Sequence, residues 1–158
     1  MPASELVNIA KKNEEILNKS GQQFVKKLQD QFDLLNLNDT QKAKKSISYS
    51  VKNGILNIEG LLRIVVLITG RKPGKFPPMS KIQGWVSRKL GITDEAENKK
   101  VSFLIARKIS EKGTDIFTGK AKGLQLQLIV DEINEELFKE VSNEIALNIS
   151  NTIYEAYN

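Results

Sequence analysis

Apolar residues recur at intervals of three or four over residues 3–35, and this spacing predicts one long N-terminal helix. The recurring positions are Leu6, Ile9, Ile16, Leu17, Phe24, Leu28, Phe32 and Leu35. Ser20-Gly21 is a weak point in this pattern, at which the helix is expected to kink or divide. The stretch 36–40 then ends the helical pattern.

The period changes to two after this break. Ile47, Tyr49 and Val51 alternate with serines, as in a strand with one buried face. Asn53-Gly54 is the strongest short signal for a two-residue hairpin turn, and residues 55–58 supply the return strand. We therefore predict a β-hairpin over residues 46–59.

Residues 61–68 form a continuous apolar run that only Arg63 interrupts. Such a run indicates a buried element, but it is too short for its periodicity to separate a buried strand from a buried helix. From the residues alone, both readings stay open.

A helix is predicted to follow Pro77-Pro78, because proline fits the first helical turn. Its buried face is marked by Ile82, Trp85, Val86 and Leu90. Gly91 has the position of a C-terminal cap. We expect Trp85 to belong to the core rather than to form a stacking platform.

A further helix is predicted after Thr93-Asp94, since Asp94 and Glu97 have the spacing of a capping box. Its apolar positions are Val101, Leu104, Ile105 and Ile109. This helix is expected to end at Lys112-Gly113, and the mostly polar stretch 114–123 is predicted to be a loop.

The last region, 124–156, carries apolar residues at strict intervals of four. They are Ile129, Ile133, Leu137, Val141, Ile145, Ile149 and Ile153. Because a helix has about 3.6 residues per turn, each interval drifts by about 40°. The helix is therefore expected either to wrap a curved surface or to break near Ser142-Asn143. Alternation over 124–130 also fits a strand, but its continuity with the helical pattern favours helix.

These elements predict a mainly α, α+β fold, with a small β-hairpin packed by helices and long helices at both ends. We interpret residues 1–158 as a single domain. It comprises an N-terminal helical arm (1–36), a core of hairpin and helices (40–123) and a C-terminal helical extension (124–158).

The composition removes several kinds of chemistry. The chain of 158 residues has neither cysteine nor histidine, so it lacks disulfides, thiolate ligands and the usual base of neutral pH. It also lacks a membrane-length apolar run of about 18 residues, and charges interrupt residues 1–20 where a signal peptide would be apolar. These features predict a soluble protein made in a cytoplasm, with no membrane association.

The net charge of +5 conceals a strong asymmetry along the chain. Between Asp39 and Asp94 lie eleven lysines and arginines but only one carboxylate, Glu59. From Leu124 onward, Lys139 is the only base. Such complementary regions allow head-to-tail association of identical subunits, which closes into a ring where the rotation permits.

Four acids of the C-terminal region follow one another at intervals of four: Glu132, Glu136, Glu140 and Glu144. Like charges at this spacing destabilise a helix by about 0.2–0.5 kcal/mol per pair. The stripe is therefore either a solvated surface that tolerates this cost, or a face that meets something basic or repels something acidic.

No catalytic constellation is recognisable, since phosphate-binding glycine motifs and metal-ligand clusters are lacking and no histidine activates a serine. We expect a protein that is not an enzyme and needs no cofactor. A second reading is a helix-turn-helix-like DNA-binding module over residues 85–109. Its cations are Arg88, Lys89, Lys99, Lys100, Arg107 and Lys108. Acids at the start of its second helix, where bases and phosphates would be met, oppose this reading.

The segment TGRKPGKFPP, residues 69–78, leads into KIQGWVSRKLGI and then SFLIARKISEKGT. This order of motifs over about 61–117 resembles the tail-completion, or head–tail joining (neck), proteins of tailed bacteriophages and the minor tail components related to them. Residues that match motif positions are Gly70, Arg71, Pro73, Gly74, Pro77, Pro78, Ile82 and Trp85.

The resemblance implies a ring-forming structural subunit in the virion neck or tail, which joins the head connector to the tail around the DNA channel. It implies a homo-oligomer, neighbouring neck, connector and tail proteins, assembly in the host cytoplasm, and DNA that passes without sequence-specific contact. It also implies that 61–68 is a short helix. The acidic stripe would then line the channel or bind a neighbouring subunit.

On this interpretation, residues 70–78 form an assembly loop and Ile82 and Trp85 seat the helix that follows. The loop comprises Gly70, Arg71, Lys72, Pro73, Gly74, Lys75, Phe76, Pro77 and Pro78. The prolines restrict the chain and the glycines permit its bend. Arg71, Lys72 and Lys75 are expected to be exposed, whereas Phe76 is expected to tuck under the loop.

Overall fold

The structure is a computed structural model that describes residues 3–37 and 39–157. It has the predicted mainly helical α+β fold, with helices α1 to α6 and a two-stranded antiparallel sheet, β1 and β2. The elements are α1 (Ala3–Leu34), α2 (Lys42–Lys45), β1 (Ser48–Lys52), β2 (Ile55–Glu59), α3 (Arg63–Thr69), α4 (Met79–Leu90), α5 (Glu95–Lys112) and α6 (Leu126–Tyr157).

The chain divides into two compact units. Unit 1 comprises residues 1–29, 47–59 and 125–158, and unit 2 comprises residues 30–46 and 60–124. The hairpin therefore groups with the two terminal helical regions, and the boundary at 29 and 30 falls inside α1.

Within unit 1, α1 is continuous through Ser20-Gly21, so the helix does not divide there. The hairpin explains why glycine occupies this position. A Cβ on Gly21 would lie 2.4 Å from the ring of Tyr49 and 2.9 Å from the side chain of Leu56. The glycine thus permits the sheet to approach the helix, and this contact outweighs the low helix propensity of the residue.

The predicted hairpin is confirmed in position and turn. Lys52 pairs with Ile55, and the intervening Asn53 and Gly54 have positive φ angles of 53° and 73°. A tight turn with two left-handed residues is the reason that Asn-Gly is favoured here. Ile47, at the entrance to β1, is buried.

The last helix, α6, begins at Leu126 and is continuous through Ser142-Asn143, so the expected break is absent. Ile129 and Ile133 are buried, Leu137 is half-buried, and Val141 and Ile145 are exposed. The drift of an interval of four against 3.6 residues per turn carries the later side chains off the buried side. Ile149 and Ile153 lie outside the side chains that the structure describes.

Within unit 2, α4 and α5 pack together and a buried amide joins them. The two hydrogens of the Asn98 amide nitrogen are shared among three acceptors, Ser87 Oγ at 2.8 Å, the Ile92 carbonyl at 2.9 Å and the Gln83 carbonyl at 3.2 Å. Ser102 Oγ donates to Asn98 Oδ1 at 3.1 Å. Buried polar groups with satisfied hydrogen bonds fix one arrangement of neighbouring helices.

The predicted ends of α4 and α5 are confirmed. Gly91 ends α4 with a left-handed φ of 70°, and Asp94 Oδ1 accepts a hydrogen bond of 2.8 Å from the Glu97 amide at the start of α5. Pro78 lies one residue earlier than the helix proper, at the N-cap of α4. These local signals fix how the assembly loop enters α4.

Candidate assembly surface

The segment that joins α3 to α4, residues 70–78, starts at a glycine that no other residue can replace. Gly70 has φ 73° and its amide donates to the Val66 carbonyl at 2.9 Å. A Cβ at this position would lie 2.2 Å from the Phe117 amide nitrogen. Both the positive φ and the close backbone therefore require glycine.

Three hydrogen bonds pin this assembly loop to the end of α5. The Arg71 amide donates to Thr114 Oγ1 at 2.9 Å, and the Thr114 amide donates to the Arg71 carbonyl at 2.9 Å. The Gly74 amide donates to the Ser110 carbonyl at 2.8 Å. The loop is thus anchored at two points, which gives it a defined backbone conformation.

The three cations of the assembly loop have different surroundings. The Arg71 guanidinium donates to the Lys75 carbonyl at 2.7 Å and so folds across the loop. Lys72 and Lys75 are exposed, as the sequence predicted, whereas Arg71 is half-buried. The charge that this loop presents outward therefore comes mainly from the two lysines.

The expectation for Phe76 is wrong, because this side chain does not tuck under the loop. Phe76 is 44% exposed, and its ring lies 5.7 Å from that of Phe103 on α5. Pro77, the next residue, is buried instead. The two aromatic rings form a contact on the surface of unit 2.

The expectation that Trp85 belongs to the core is also wrong. On α4 it is Val86 that is completely buried, while Ile82 is half-buried. Trp85 is 37% exposed, and Leu90 is exposed as well. Trp85 and Val86 are 100° apart around a helix, so the burial of Val86 turns the indole toward the edge of the buried face.

The exposed part of Trp85 belongs to a groove of about 550 Å³ within unit 2. Phe32, Leu37, Val66 and Leu67 contribute apolar walls beside the indole. Among the described residues, the cations that line the groove are Lys44, Arg63 and Lys89, and the lining carboxylate is Asp39. Lys44 pairs with Asp33 at 2.5 Å. With the partners Asp33 and Arg88 counted, four cations stand against two carboxylates in the described part of the chain, so the groove has apolar lining and a net positive charge.

The lining carboxylate, Asp39, belongs to an ion pair. Arg88 donates to Asp39 through Nε at 2.7 Å and through a terminal nitrogen at 2.6 Å. This hydrogen bonding lowers the pKa of Asp39, partial burial opposes the shift, and the charges of Arg88 and Lys89 add to the lowering. Lys89 donates to Asn36 Oδ1 at 3.2 Å.

The apolar run 61–68 is the largest departure from the sequence interpretation. It contains the helix α3, as the family resemblance implied, but no residue of α3 is buried. Leu62 is 84% exposed, and Leu61, Val65 and Val66 are also exposed. Contiguous exposed apolar residues of this kind mark protein interaction surfaces.

The backbone explains which side of α3 faces inward. The Leu67 carbonyl accepts a hydrogen bond of 2.8 Å from the Leu124 amide, and a Cβ on Gly123 would lie 2.5 Å from that carbonyl oxygen. The segment 123–124 therefore covers one side of a short helix whose residues are apolar all round. A helix that is apolar on most sides is normally buried, so the composition of α3 gave no indication of its exposure.

The predicted acidic stripe lies in unit 1, where lysines of α1 are its partners. Lys12 pairs with Glu144, and Lys19 pairs with Glu140. Lys27 pairs with Glu132 at 2.8 Å and with Glu136 at 3.7 Å. The hydrogen bond with Glu132 raises the pKa of Lys27, while burial lowers it in part. Since residue numbers rise on one helix as they fall on the other, α1 and α6 run antiparallel.

Five of the six cations of the helix-turn-helix reading, all except Lys100, have partners given within the described part of the chain. Besides Arg88 with Asp39 and Lys89 with Asn36, the pairs are Lys99–Glu95 at 2.6 Å, Arg107–Glu111 at 2.8 Å and Lys108–Asp115 at 3.1 Å. A phosphate-binding face requires cations that are available to DNA. This pairing weighs against the DNA-binding interpretation.

The groove and the exposed side of α3 were missed by the sequence interpretation. The bend over residues 70–78 was expected from its prolines and glycines, and its role in assembly stays a prediction. Residues 3–37 and 39–157 contain no group of three or more acidic side chains that could hold a metal ion. Over the same described ranges, no helix is long and apolar enough to cross a membrane. Comparison with protein-family models, curated proteins and solved structures found no match for the chain.

Proposed function

We propose that this chain is a structural virion protein, a ring-forming subunit at the head–tail junction of a tailed bacteriophage. One observation carries the proposal: the apolar run 61–68 is presented outward on unit 2 instead of being buried. An exposed Leu62, Val65 and Val66 would be a liability in a protein that stays alone, whereas a partner subunit would cover them.

The assembly loop supports the same reading. Its anchored backbone presents Lys72 and Lys75 in a fixed place beside α3 and α4, as a joint between subunits requires. The motif order over 61–117 resembles that of neck and tail-completion proteins, and the loop lies at its centre. In this role the partners are further copies of the chain and neighbouring connector or tail proteins, and DNA passes without sequence-specific contact.

Deletion of the gene from the phage that encodes it tests the proposal. Electron microscopy of the lysate should then show DNA-filled heads and separate tails, and a plasmid copy should restore joined virions. A lysate with normally joined particles would overturn the proposal. Cell lysis without any heads or tails would also overturn it, because the deleted gene would then encode a regulator rather than a joining protein.

A binding measurement separates this function from the DNA-binding module. The purified protein should bind duplex DNA weakly at every salt concentration. A phosphate-contacting module would instead bind tightly at low salt and weaken steeply, since log K falls by about 0.9 per log unit of salt for each phosphate contacted. Tight, salt-sensitive binding would therefore favour the alternative.

A further inference from the structure

The groove of unit 2 has the dimensions and lining of a binding site. Its volume is about 550 Å³. Trp85 and Val66 offer apolar contact. With ion-pair partners counted among the described residues, the groove has four cations, Lys44, Arg63, Lys89 and Arg88, against two carboxylates, Asp33 and Asp39. The chemistry that fits is an acidic segment with large apolar side chains.

The outer side of α6, in unit 1, has that chemistry. Phe138, Val141 and Ile145 are exposed and follow each other at intervals of three and four, so they share one side of the helix. Phe138 alone is 73% exposed. Asp131 and Glu135 are exposed on the same side, preceding Phe138 by seven and three residues. This side is distinct from the one that carries the buried Ile129 and Ile133.

We infer that the groove of one copy receives the outer side of α6 from a second copy, an inference that rests on the proposed function. Phe138, Val141 and Ile145 would contact Trp85 and Val66, and the acids Asp131 and Glu135 would meet cations that line the groove. An amphipathic helix in an apolar groove is a recurrent mode of recognition. The two surfaces differ, so the contact is heterologous. Each copy offers its groove to one neighbour and the outer side of its α6 to another.

Two surface variants test this pairing in the full chain. Val66→Asp places a carboxylate in the groove wall, and Phe138→Ser removes the largest apolar side chain from the outer side of α6. Both residues are exposed, so both variants should fold as the wild type does, with unchanged circular dichroism. In sedimentation velocity, the wild type should self-associate with rising concentration and each variant alone should remain a monomer.

An equimolar mixture of the two variants tests most directly whether the groove and α6 bind each other. The Val66→Asp chain keeps its α6 surface and the Phe138→Ser chain keeps its groove, so one joint can form between them. The mixture should give a one-to-one dimer and nothing larger. Ile55→Ser provides the matched control, since Ile55 is an exposed apolar residue of the hairpin outside both surfaces, and should assemble as the wild type does.

Several outcomes would overturn the inference. They are assembly of either variant alone at the wild-type concentration, failure of the mixture to dimerise, loss of assembly in Ile55→Ser, or a wild type that is monomeric throughout. None of these would overturn the proposed function, which the gene deletion tests in the virion. Conversely, joined particles after deletion would overturn the function even where the mixture dimerises.

Discussion

The carboxylate of Asp39 accepts two hydrogen bonds from the guanidinium of Arg88, at 2.7 Å and 2.6 Å, and so ties the segment after α1 to α4. This two-point pairing is the geometry in which arginine and a carboxylate interact best. Asp39 also lines the groove that contains Trp85. The pair therefore supports the receiving surface that the assembly account requires.

Asp39→Asn should lower stability in a pH-dependent way. Because folding lowers the pKa of Asp39, its carboxylate stabilises the fold above the unfolded aspartate pKa of about 3.9. That contribution is lost as the pH falls through the lower, folded pKa. Urea unfolding should thus show a gap between wild type and variant near neutral pH that shrinks steadily below about pH 4.

Arg88→Gln is the partner control for this experiment, since it removes the other side of the same pair. It should abolish the same pH-dependent contribution, and the double variant should lose little more than either single one. A gap that is constant or grows toward acid pH would show that the ion pair does not stabilise the fold.

Gly21→Ala should destabilise the chain even though alanine favours helix. Helix propensity alone would add about 1 kcal/mol of stability. The new Cβ would lie 2.4 Å from the Tyr49 ring, however, and overpacking of this kind costs about 1–3 kcal/mol. Chemical denaturation should therefore show a lower free energy of unfolding than in the wild type.

In a chain that also carries Tyr49→Ala, the expected effect of Gly21→Ala on the free energy of unfolding has the opposite sign. Without the ring, the remaining close atom is the end of the Leu56 side chain, which can move aside. Gly21→Ala should then stabilise that background. A stabilising effect of Gly21→Ala in the wild type would contradict the close approach of the hairpin to α1.

Gly113→Ala should release the assembly loop. Gly113 has φ 82°, and a Cβ there would lie 2.7 Å from the Arg71 carbonyl oxygen, the atom to which the Thr114 amide donates. The loop should detach from α5, and limited trypsin cleavage after Arg71 and Lys75 should accelerate about tenfold or more, because cleavage follows the open population.

Gly119→Ala is the matched control for backbone strain. Gly119 has a similar φ of 73°, but a Cβ there would meet no atom within 4 Å. Its free energy of unfolding should fall by about 1–2 kcal/mol, because alanine disfavours the left-handed conformation. Trypsin should nevertheless cleave the loop no faster than in the wild type. Equal acceleration in both variants would mean that general destabilisation, not the contact with Arg71, controls the loop.

Features set by neighbouring residues were predictable from the sequence. The Asn53-Gly54 turn, the Asp94 cap and the Gly91 end of α4 each depend on a few adjacent side chains and their backbone angles. The breaks expected at Ser20-Gly21 and Ser142-Asn143 did not occur. At Gly21, packing against Tyr49 decides the outcome, and this contact is remote in sequence.

The candidate surface was less predictable, because the burial of a residue depends on which segments from elsewhere in the chain pack against it. Residues 61–68 have the composition of a core element, but segment 123–124 covers only one side of α3. Trp85 and Val86 are adjacent in sequence and equally apolar in character, yet only Val86 is fully buried. The periodicity of apolar residues locates the inward face of α4. It does not show how far around the helix neighbouring segments cover that face.

Trp85 fluorescence tests the central claim most directly, since it is the only tryptophan in the chain and lines the groove. Emission and acrylamide quenching should be recorded from about 1 to 100 µM protein, the range in which micromolar association develops. We predict a blue shift and reduced quenching as concentration rises, and neither change in Phe138→Ser. An unchanged spectrum over this range, or a blue-shifted spectrum that is independent of concentration, would contradict the account.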